Sequence, residues 1–489
     1  MRTIEAGIVI IGGGPAGLSA AWEAGSRGIR TLVLEKTGRP GGVSGGGIGM
    51  FAVESSIQKK MLIKFSVEDA FRLVTDYTHN KADARLLSEY LRRSAGTVEW
   101  FIGMGAEFTG AVAYYEGAKY TWHMYSFRNE LRLPERIIKS MTDGGFPVEI
   151  LTGAAAKRIV KDGSGRVCGV EFTRDGETVL AKAGAVIVAT GGFGGNKEWV
   201  KELSGLTLGE DLFTMDVSRA QGEGLRLAWE AGAAKSRMDV DIYCGLGGPY
   251  GGPGGVLEHY QSFRQPNLMV NLAGERFMDE GQMMIGSYAA NAVLQQKNHC
   301  GFMIFDSDTE AYYAENGWDL IMNDLPTHPQ DTDALARRAM AEHPGWLFAA
   351  DSLGELADMM GVDREALLAT AAEYNGFCDA GHDPVLFKER RFLRPVRGKR
   401  FYGAKFCLNG YGTLGGIKID WRTRVLDDEF RPIPGLYAAG NDVNTLFGDS
   451  YPFMLSGNTS GFAYNTGRMA GENAALLFPK DRTFSDKKK

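Results

Sequence analysis

Three glycines near the start of the chain stand where chemistry on a phosphate would need them. Gly12, Gly14 and Gly17 have the spacing Gly-x-Gly-x-x-Gly within Gly12-Gly13-Gly14-Pro15-Ala16-Gly17, and Glu35 follows about 20 residues on. Each part has a physical task. Gly12 permits a tight turn, Gly14 lets backbone approach a pyrophosphate, and Gly17 lets a helix pack against a sheet. The helix N-terminus that follows, where Pro15 has no N–H but Ala16 and Gly17 do, offers unpaired N–H groups to phosphate oxygens. Glu35 is placed to accept hydrogen bonds from ribose hydroxyls. Together these residues are suited to the ADP half of a dinucleotide.

Such a turn works only between a strand and a helix, and the flanking residues supply both. Gly7–Ile11 is a short apolar strand, Leu18–Gly28 a helix of small residues, and Ile29–Glu35 a second strand. Residues 66–105 have helical spacing, with Ala70, Leu73, Val74 and Tyr77 on one face. Residues 146–189 alternate apolar and polar positions between glycine turns and read as a β-meander that ends in the strand Ala185–Ala189. Beyond 241 the texture becomes helical, at 286–297, 331–342, 351–360 and 363–380. Strands resume near 401, including Lys418–Asp420 and Leu436–Ala439, and Gly457–Leu477 is a final helix. The expected class is α/β: one Rossmann-like nucleotide-binding domain in two sequence segments, interrupted by an inserted domain.

Composition narrows the function. The formal net charge is −6, which argues against nucleic-acid binding. No apolar run reaches the ~18 residues of a membrane span, and Met1–Glu5 does not read as a secretory signal. A cytoplasmic location is expected. The five cysteines are scattered without a CxxC pair, so no metal centre is expected. Glycine is abundant, at 66 of 489 residues, against an average near 7%.

Further glycine segments turn the dinucleotide into a flavin. Gly41-Gly42-Val43-Ser44-Gly45-Gly46-Gly47 follows Glu35 closely and reads as a loop beneath the second phosphate and the isoalloxazine. Gly42, Val43, Ser44, Gly46 and Gly47 are its candidate contacts. Ala189-Thr190-Gly191-Gly192 closes a strand in mid-chain. Gly435–Asp442 ends a strand at Gly440, Asn441 and Asp442, beside the helix start Gly457-Asn458-Thr459-Ser460. A helix dipole there would stabilise negative charge at the flavin N1/C2=O edge. Lys36 and Ala156 are also assigned to the FAD site.

These segments, in this order, resemble the fumarate reductase/flavocytochrome c family, which includes 3-ketosteroid dehydrogenases and ene-reductases. Gly274-Glu275-Arg276-Phe277-Met278-Asp279-Glu280 resembles the family's GxRFxNE segment, and Thr413-Leu414-Gly415-Gly416 its TxGG segment. Gly461-Phe462-Ala463 through Gly467-Arg468 and Ala470-Gly471 resembles its last helix. The resemblance covers nearly the whole chain. It implies a Rossmann-like FAD-binding domain in two segments, 1–240 and 403–489, with an inserted, mobile α+β capping domain at 241–402, and substrate lying between cap and flavin. The 41–49 loop lacks the flavin-linking histidine of membrane-bound members, so non-covalent FAD is expected.

The chain departs from the family where fumarate would bind. The resemblance places the proton-donating arginine near Met284, a carboxylate-binding histidine at Gly412, and a carboxylate-binding arginine near Met454. Three expected cations are absent, so fumarate and succinate are not the expected substrates. Gly448-Asp449-Ser450-Tyr451-Pro452 instead resembles the SYPG segment of 3-ketosteroid dehydrogenases, whose tyrosine donates to the substrate ketone. A tyrosine hydroxyl can polarise a carbonyl or supply a proton. Tyr451 is therefore the first candidate for catalysis. Arg264 and His259 correspond to a family proton path, and the resemblance places Tyr288 and Tyr411 near the cleft. His123, within Thr121–Tyr125, either lines the pocket or belongs to an aromatic packing stripe. Gly245–Gly255, with seven glycines, reads either as a lid carrying Tyr250 or as a loop without a role. Lys388–Arg400 holds seven basic residues and reads either as a solvated face or as a docking patch for an acidic electron donor.

The expectation is an FAD-dependent enzyme passing hydride between flavin N5 and an apolar or aromatic α,β-unsaturated carbonyl compound. The competing readings are a flavin oxidase and an electron-transfer subunit of a larger complex. The small-molecule substrate is not specified, and NADH, free reduced flavin and a redox partner all remain open as electron donor.

Overall fold

The computed structural model describes residues 2–42, 48–126, 128–214, 219–247, 262–320 and 331–478. The fold is mixed α/β. At its centre is a six-stranded sheet, ordered Arg424–Leu426, Pro432–Ala438, Ala185–Val188, Ile8–Ile11, Thr31–Leu34 and Val148–Leu151. All neighbours are parallel except Arg424–Leu426 with Pro432–Ala438. Ile8–Ile11 and Ala185–Val188 are apolar and buried throughout, as expected for parallel strands covered on both faces. The chain leaves Ile8–Ile11 to the Thr31–Leu34 side and returns later to the Ala185–Val188 side. Ligands of open α/β sheets bind at the strands' carboxyl ends beside such a reversal. Gly12, Glu35, Ala189 and Ala439 all follow directly from those ends.

The final helix, Asn458–Ala475, lies across the first, Pro15–Gly25, at very short range. A Cβ added to Gly467 would come within 2.2 Å of the Ala16 carbonyl oxygen, and one on Gly471 within 2.4 Å of that of Ala20. The two chain ends are thereby locked together beneath the sheet.

A second, seven-stranded sheet is organised on one long strand, Phe401–Gly416, which pairs with Leu212–Thr214, Asp239–Leu246, Cys300–Asp306, Leu347–Ala350 and Val443–Asn444. This sheet draws strands from both sides of the 241–402 interval. The helices Gly286–Leu294, Thr332–Glu342, Leu353–Met360 and Arg364–Ala380 agree closely with the helical stretches expected there.

Several sequence expectations need correction. The first helix begins at Pro15, not Leu18, and ends at Gly25. Proline suits the first helical position because its missing N–H would be unpaired there anyway. Residues 66–105 form two helices, Val67–Tyr77 and Ala84–Gly103. His79 and Asn80 adopt positive φ between them, and the Asp83 side chain accepts from the Leu86 N–H to start the second. The meander is smaller than 146–189. It comprises Ala155–Lys161, Val167–Arg174 and Glu177–Lys182, joined by Arg2–Glu5, while Val148–Leu151 and Ala185–Val188 belong to the parallel sheet. Lys418–Asp420 makes only an isolated bridge, Ile419 to Val425.

Candidate functional site

The glycine turn is fixed by contacts that leave no choice of residue at two positions. Gly12 has φ +105°, and a Cβ there would meet the Ala189 carbonyl oxygen at 2.3 Å. A Cβ on Gly17 would lie 1.9 Å from the Gly12 carbonyl oxygen. The Glu35 carboxylate accepts the Gly13 N–H at 2.9 Å and, through its other oxygen, the Thr37 N–H at 2.8 Å and the Thr37 hydroxyl at 2.7 Å. The acid is thus held rigidly at the strand end, against the turn. The helix Pro15–Gly25 has no side chain capping its N-terminus, so its first N–H groups are available to an anion.

The second cluster joins three distant stretches. The buried Asp442 carboxylate accepts the Thr190 N–H, the Thr190 hydroxyl at 3.0 Å and the Gly192 N–H at 2.8 Å. Burial pushes its pKa up, and these hydrogen bonds pull it back. Asp442 therefore ties the Thr190–Gly192 turn to the Gly440–Asp442 turn. Gly440 approaches Ala16, with an added Cβ 3.0 Å from that of Ala16, and its N–H bonds the Thr466 hydroxyl at 3.0 Å. Asn458 opens the final helix, and Tyr90 donates to its Oδ1 at 2.9 Å. Ser460 donates to the Gly49 carbonyl at 2.7 Å, and Thr459 beside it is half-buried. Ala156 lies half-buried on the meander strand Ala155–Lys161.

Whether these residues fit a flavin dinucleotide can be judged from two features. Asn441 Oδ1 is buried and accepts no hydrogen bond, a state that costs about 1–3 kcal/mol unless a donor arrives. Space is open beside Gly14, where the nearest atom to an added Cβ is Gly42 Cα at 3.9 Å. A ligand offering phosphates at Gly14 and hydroxyl or imide donors at Asn441 meets both needs. Val43, Ser44, Gly46 and Gly47 lie outside the described residues.

Aromatic side chains dominate the surroundings of the candidate tyrosines. Tyr451 is buried, with ring centroids 4.7 Å from Tyr411, 4.8 Å from Phe453 and 5.2 Å from Phe447. Its hydroxyl accepts the Asn458 N–H at 2.9 Å, so it caps the final helix. Burial pushes this hydroxyl far above the ordinary tyrosine range, and it stays neutral. Tyr77 donates to the Tyr451 carbonyl at 3.1 Å, as does Ser287 at 3.0 Å. Tyr288 is partly exposed and stacks on Tyr77 at 6.1 Å. Tyr411 sits at a bulge: Asp241 pairs with Gly412 and Ile242 with Gly410, which leaves Tyr411 as the extra residue. A bulge re-aims a side chain, and here Tyr411 meets Tyr451, Tyr243 and Phe453. Met284 is buried against Leu320 and Phe392, beside Tyr115.

The remaining candidates stand elsewhere. His123 is fully buried, with Nδ1 on the Thr121 carbonyl at 2.9 Å and Nε2 on the Ser55 hydroxyl at 2.6 Å. Burial lowers its pKa to about 4. It is a neutral residue with both ring nitrogens hydrogen-bonded. Arg264 is buried at the end of the short turn Ser262–Arg264, close enough for its charge to act on the Cys244 thiol. Lys36 is bonded to Glu223 at 2.5 Å and to the Arg219 carbonyl at 2.7 Å. His259 and Tyr250 lie outside the described residues.

The basic run Lys388–Arg400 is in part a solvated face, with Arg390, Arg391, Arg397 and Lys399 exposed, and in part buried. Arg391 bonds Glu116, Arg397 bonds Asp379, and Arg400 bonds Asp333 and Asp351. Arg394 bonds Asp319, and Lys388 is buried 3.4 Å from Glu280. Arg276 completes that last group, bonding Glu280 at 2.9 and 2.8 Å and Asp383 at 2.9 Å. Two cations meet two anions in the interior. The pair Arg276 and Glu280 of the GxRFxNE-like segment is thus a structural clamp. Sequence reading missed Asp241, Tyr77 and Tyr243. The only signal for Asp241 was an acid in the otherwise apolar strand stretch Val240–Ile242.

Comparison with known proteins agrees with this geometry. The model of the FAD binding domain family matches residues 7–459. The vinyl phenol reductase of Lactiplantibacillus plantarum is 32% identical over 480 residues, covering 96% of each chain. The urocanate reductase of Eggerthella lenta is 29% identical, covering 97% of this chain and 75% of that one. Among solved structures, a 3-ketosteroid-Δ4-(5α)-dehydrogenase from Rhodococcus jostii superposes with a TM-score of 0.76 at 22% identity, over 97% of this chain and 98% of that one. No helix among the described residues is long and apolar enough to cross a membrane.

Proposed function

The chain belongs to the FAD binding domain family and is an FAD-dependent oxidoreductase, and we propose that it reduces a C=C bond conjugated to an aromatic ring or a carbonyl in an uncharged substrate. The observation that carries this reading is the exchange of cations for aromatic and small residues around Tyr451. By the family resemblance, Met284, Gly412 and Met454 replace the three cations a dicarboxylate would need. Tyr411, Tyr451 and Phe453 pack together next to Gly412, and Met284 lies in an apolar cluster with Leu320 and Phe392. A buried carboxylate without a cation is costly, whereas an aromatic ring packs well against tyrosines. The vinyl phenol reductase relative is named for such a substrate.

FAD, when bound, supplies the hydride. The chain's own residues hold, orient and exclude water. The N-terminus of Pro15–Gly25 would hold the pyrophosphate and Glu35 the adenosine ribose. Asn441 Oδ1 would accept from the ribityl or ring donors, and the dipole of Asn458–Ala475 would favour negative charge on the reduced ring. Tyr451, kept neutral by burial, hydrogen-bonds and orients the substrate, and Tyr411 and Tyr288 wall the cleft. FAD is held without a covalent bond. The chain is organised as an FAD-binding unit, 1–240 with 403–489, and a cap, 241–402, consistent with one nucleotide sheet whose strands come from both chain ends.

The test is to photoreduce the holoenzyme without oxygen and add 4-vinylphenol, cinnamaldehyde, a 3-ketosteroid enone or fumarate. Rapid flavin reoxidation by an aromatic alkene, and none by fumarate, is the expected result. Preferential reoxidation by fumarate would overturn the reading. Acid precipitation should leave the flavin in the supernatant; a yellow pellet would contradict non-covalent binding.

A further inference from the structure

Beside the tyrosines lies a carboxyl that the mechanism above leaves unused. Asp241, on the strand Asp239–Leu246, is 2% exposed. It stands directly opposite Gly412 on the long strand, at the slip in register that sets Tyr411 apart. Side chains directly opposite on antiparallel strands lie on one face, with Cβ atoms about 4.5–5.5 Å apart. Asp241 thus projects on the face that a side chain at 412 would have used. That face looks towards the amide whose oxygen lacks a donor: a Cβ on Gly412 would lie 3.5 Å from Asn441 Nδ2.

Asp241 Oδ1 accepts the Tyr451 N–H at 3.1 Å. Among the described residues, its other oxygen accepts nothing and no cation pairs with it. The titratable groups around it are Asp239 on its own strand, Tyr77 from the helix Val67–Tyr77, Tyr411 from the long strand, and Tyr451. Arg237 pairs with Asp239 of this group at 3.5 Å, not with Asp241, and lies 3.9 Å from Asp449, and Lys81 is bound to Asp449. Burial pushes the Asp241 carboxyl up to about 8, with the Tyr451 N–H pulling it down and Asp239 adding to the rise. Below that pH it is a neutral acid with a proton to donate.

We propose that Asp241 determines the specificity of the cleft: as a neutral acid it donates a hydrogen bond to the uncharged oxygen of an aromatic substrate, and it disfavours carboxylates. The inference rests on the function proposed above. A substrate carboxylate placed here would share an apolar site with a second carboxyl and no cation, which prevents both from ionising. A phenol or carbonyl oxygen meets a ready donor, as protonated carboxylic acids provide in other apolar sites.

The test uses the oxidised holoenzyme and measures binding of 4-ethylphenol and 4-ethylbenzoate by the shift in flavin absorbance between pH 6 and 9. Wild type should bind 4-ethylphenol and lose affinity as pH rises through about 8, because the donor proton is then lost. Asp241→Asn keeps a donor, so it should bind within about threefold of wild type at pH 6 and show a flat profile. Asp241→Leu should weaken 4-ethylphenol binding by about tenfold or more. Both variants should bind 4-ethylbenzoate more tightly than wild type at pH 9. An Asp241→Asn profile identical to wild type, or undiminished binding by Asp241→Leu, would overturn the proposal. If either variant fails to retain FAD, the infrared carboxylic-acid C=O band of the wild-type holoenzyme decides. A buried acid band lost between pH 7 and 9 supports the proposal, and its absence at pH 7 overturns it. Failure of every aromatic alkene to reoxidise the flavin would instead defeat the proposed function, while the binding and infrared data would still report on Asp241.

Discussion

Gly17 has no room for a methyl group, whereas Gly412 has room for one and carries none. The first glycine lies in the parallel sheet's turn, 1.9 Å from a backbone oxygen once a Cβ is added. The second lies in the seven-stranded sheet, where the nearest atom to an added Cβ is an amide nitrogen at an ordinary 3.5 Å. One glycine is dictated by the fold. The other leaves space beside Tyr411 and Asp241 that packing did not require. The nucleotide region is therefore built by steric necessity, and the proposed substrate region by which side chains are left out.

The sharpest way to break this contrast is Gly17→Ala. It should abolish FAD retention, read as the flavin-to-protein absorbance ratio after gel filtration; a fully loaded variant would refute the close-approach account. Next in size is Lys388→Met, which leaves Glu280 with only Arg276 inside the protein. Removing one member of a buried ion group typically costs about 3–5 kcal/mol, so denaturant unfolding should shift strongly while any folded protein keeps its flavin. Loss of flavin without loss of stability would contradict the clamp. Tyr451→Phe removes both the helix cap and the substrate hydrogen bond. Turnover should fall about 10²-fold, with a stability loss of about 1 kcal/mol and FAD retained. Smallest is Gly412→Ala, which should change stability by less than about 1 kcal/mol and leave FAD bound. Loss of FAD there would erase the distinction between the two glycines.

The nucleotide region was the more legible in the sequence. Gly14, Gly17 and Glu35 have a legible spacing because they answer to near neighbours in the chain, Gly42, Gly12 and Gly13, and Gly12 joins them by its place in the turn although it meets the distant Ala189. The coming together of Thr190, Gly440 and Gly457 was legible through family resemblance, but the agent joining two of them, the Asp442 carboxylate on Thr190 and Gly192, was not. Val148–Leu151 reads like any meander strand, since alternation does not reveal which sheet a strand will join. Lys388 and Arg394 read as part of a surface run because the acids buried with them, Glu280 and Asp319, lie far away in the chain. Asp241 was invisible for a related reason: nothing local shows that a bulge sets Tyr411 apart and brings the acid opposite Gly412.

The central claim is that this FAD enzyme reduces uncharged conjugated alkenes instead of small carboxylates, and one anaerobic stopped-flow measurement addresses it. Photoreduced holoenzyme is mixed with equal concentrations of 4-vinylphenol or fumarate, and flavin reoxidation is followed by absorbance. The account predicts concentration-dependent reoxidation by 4-vinylphenol and a fumarate trace indistinguishable from buffer. Reoxidation by fumarate with no response to 4-vinylphenol would contradict it.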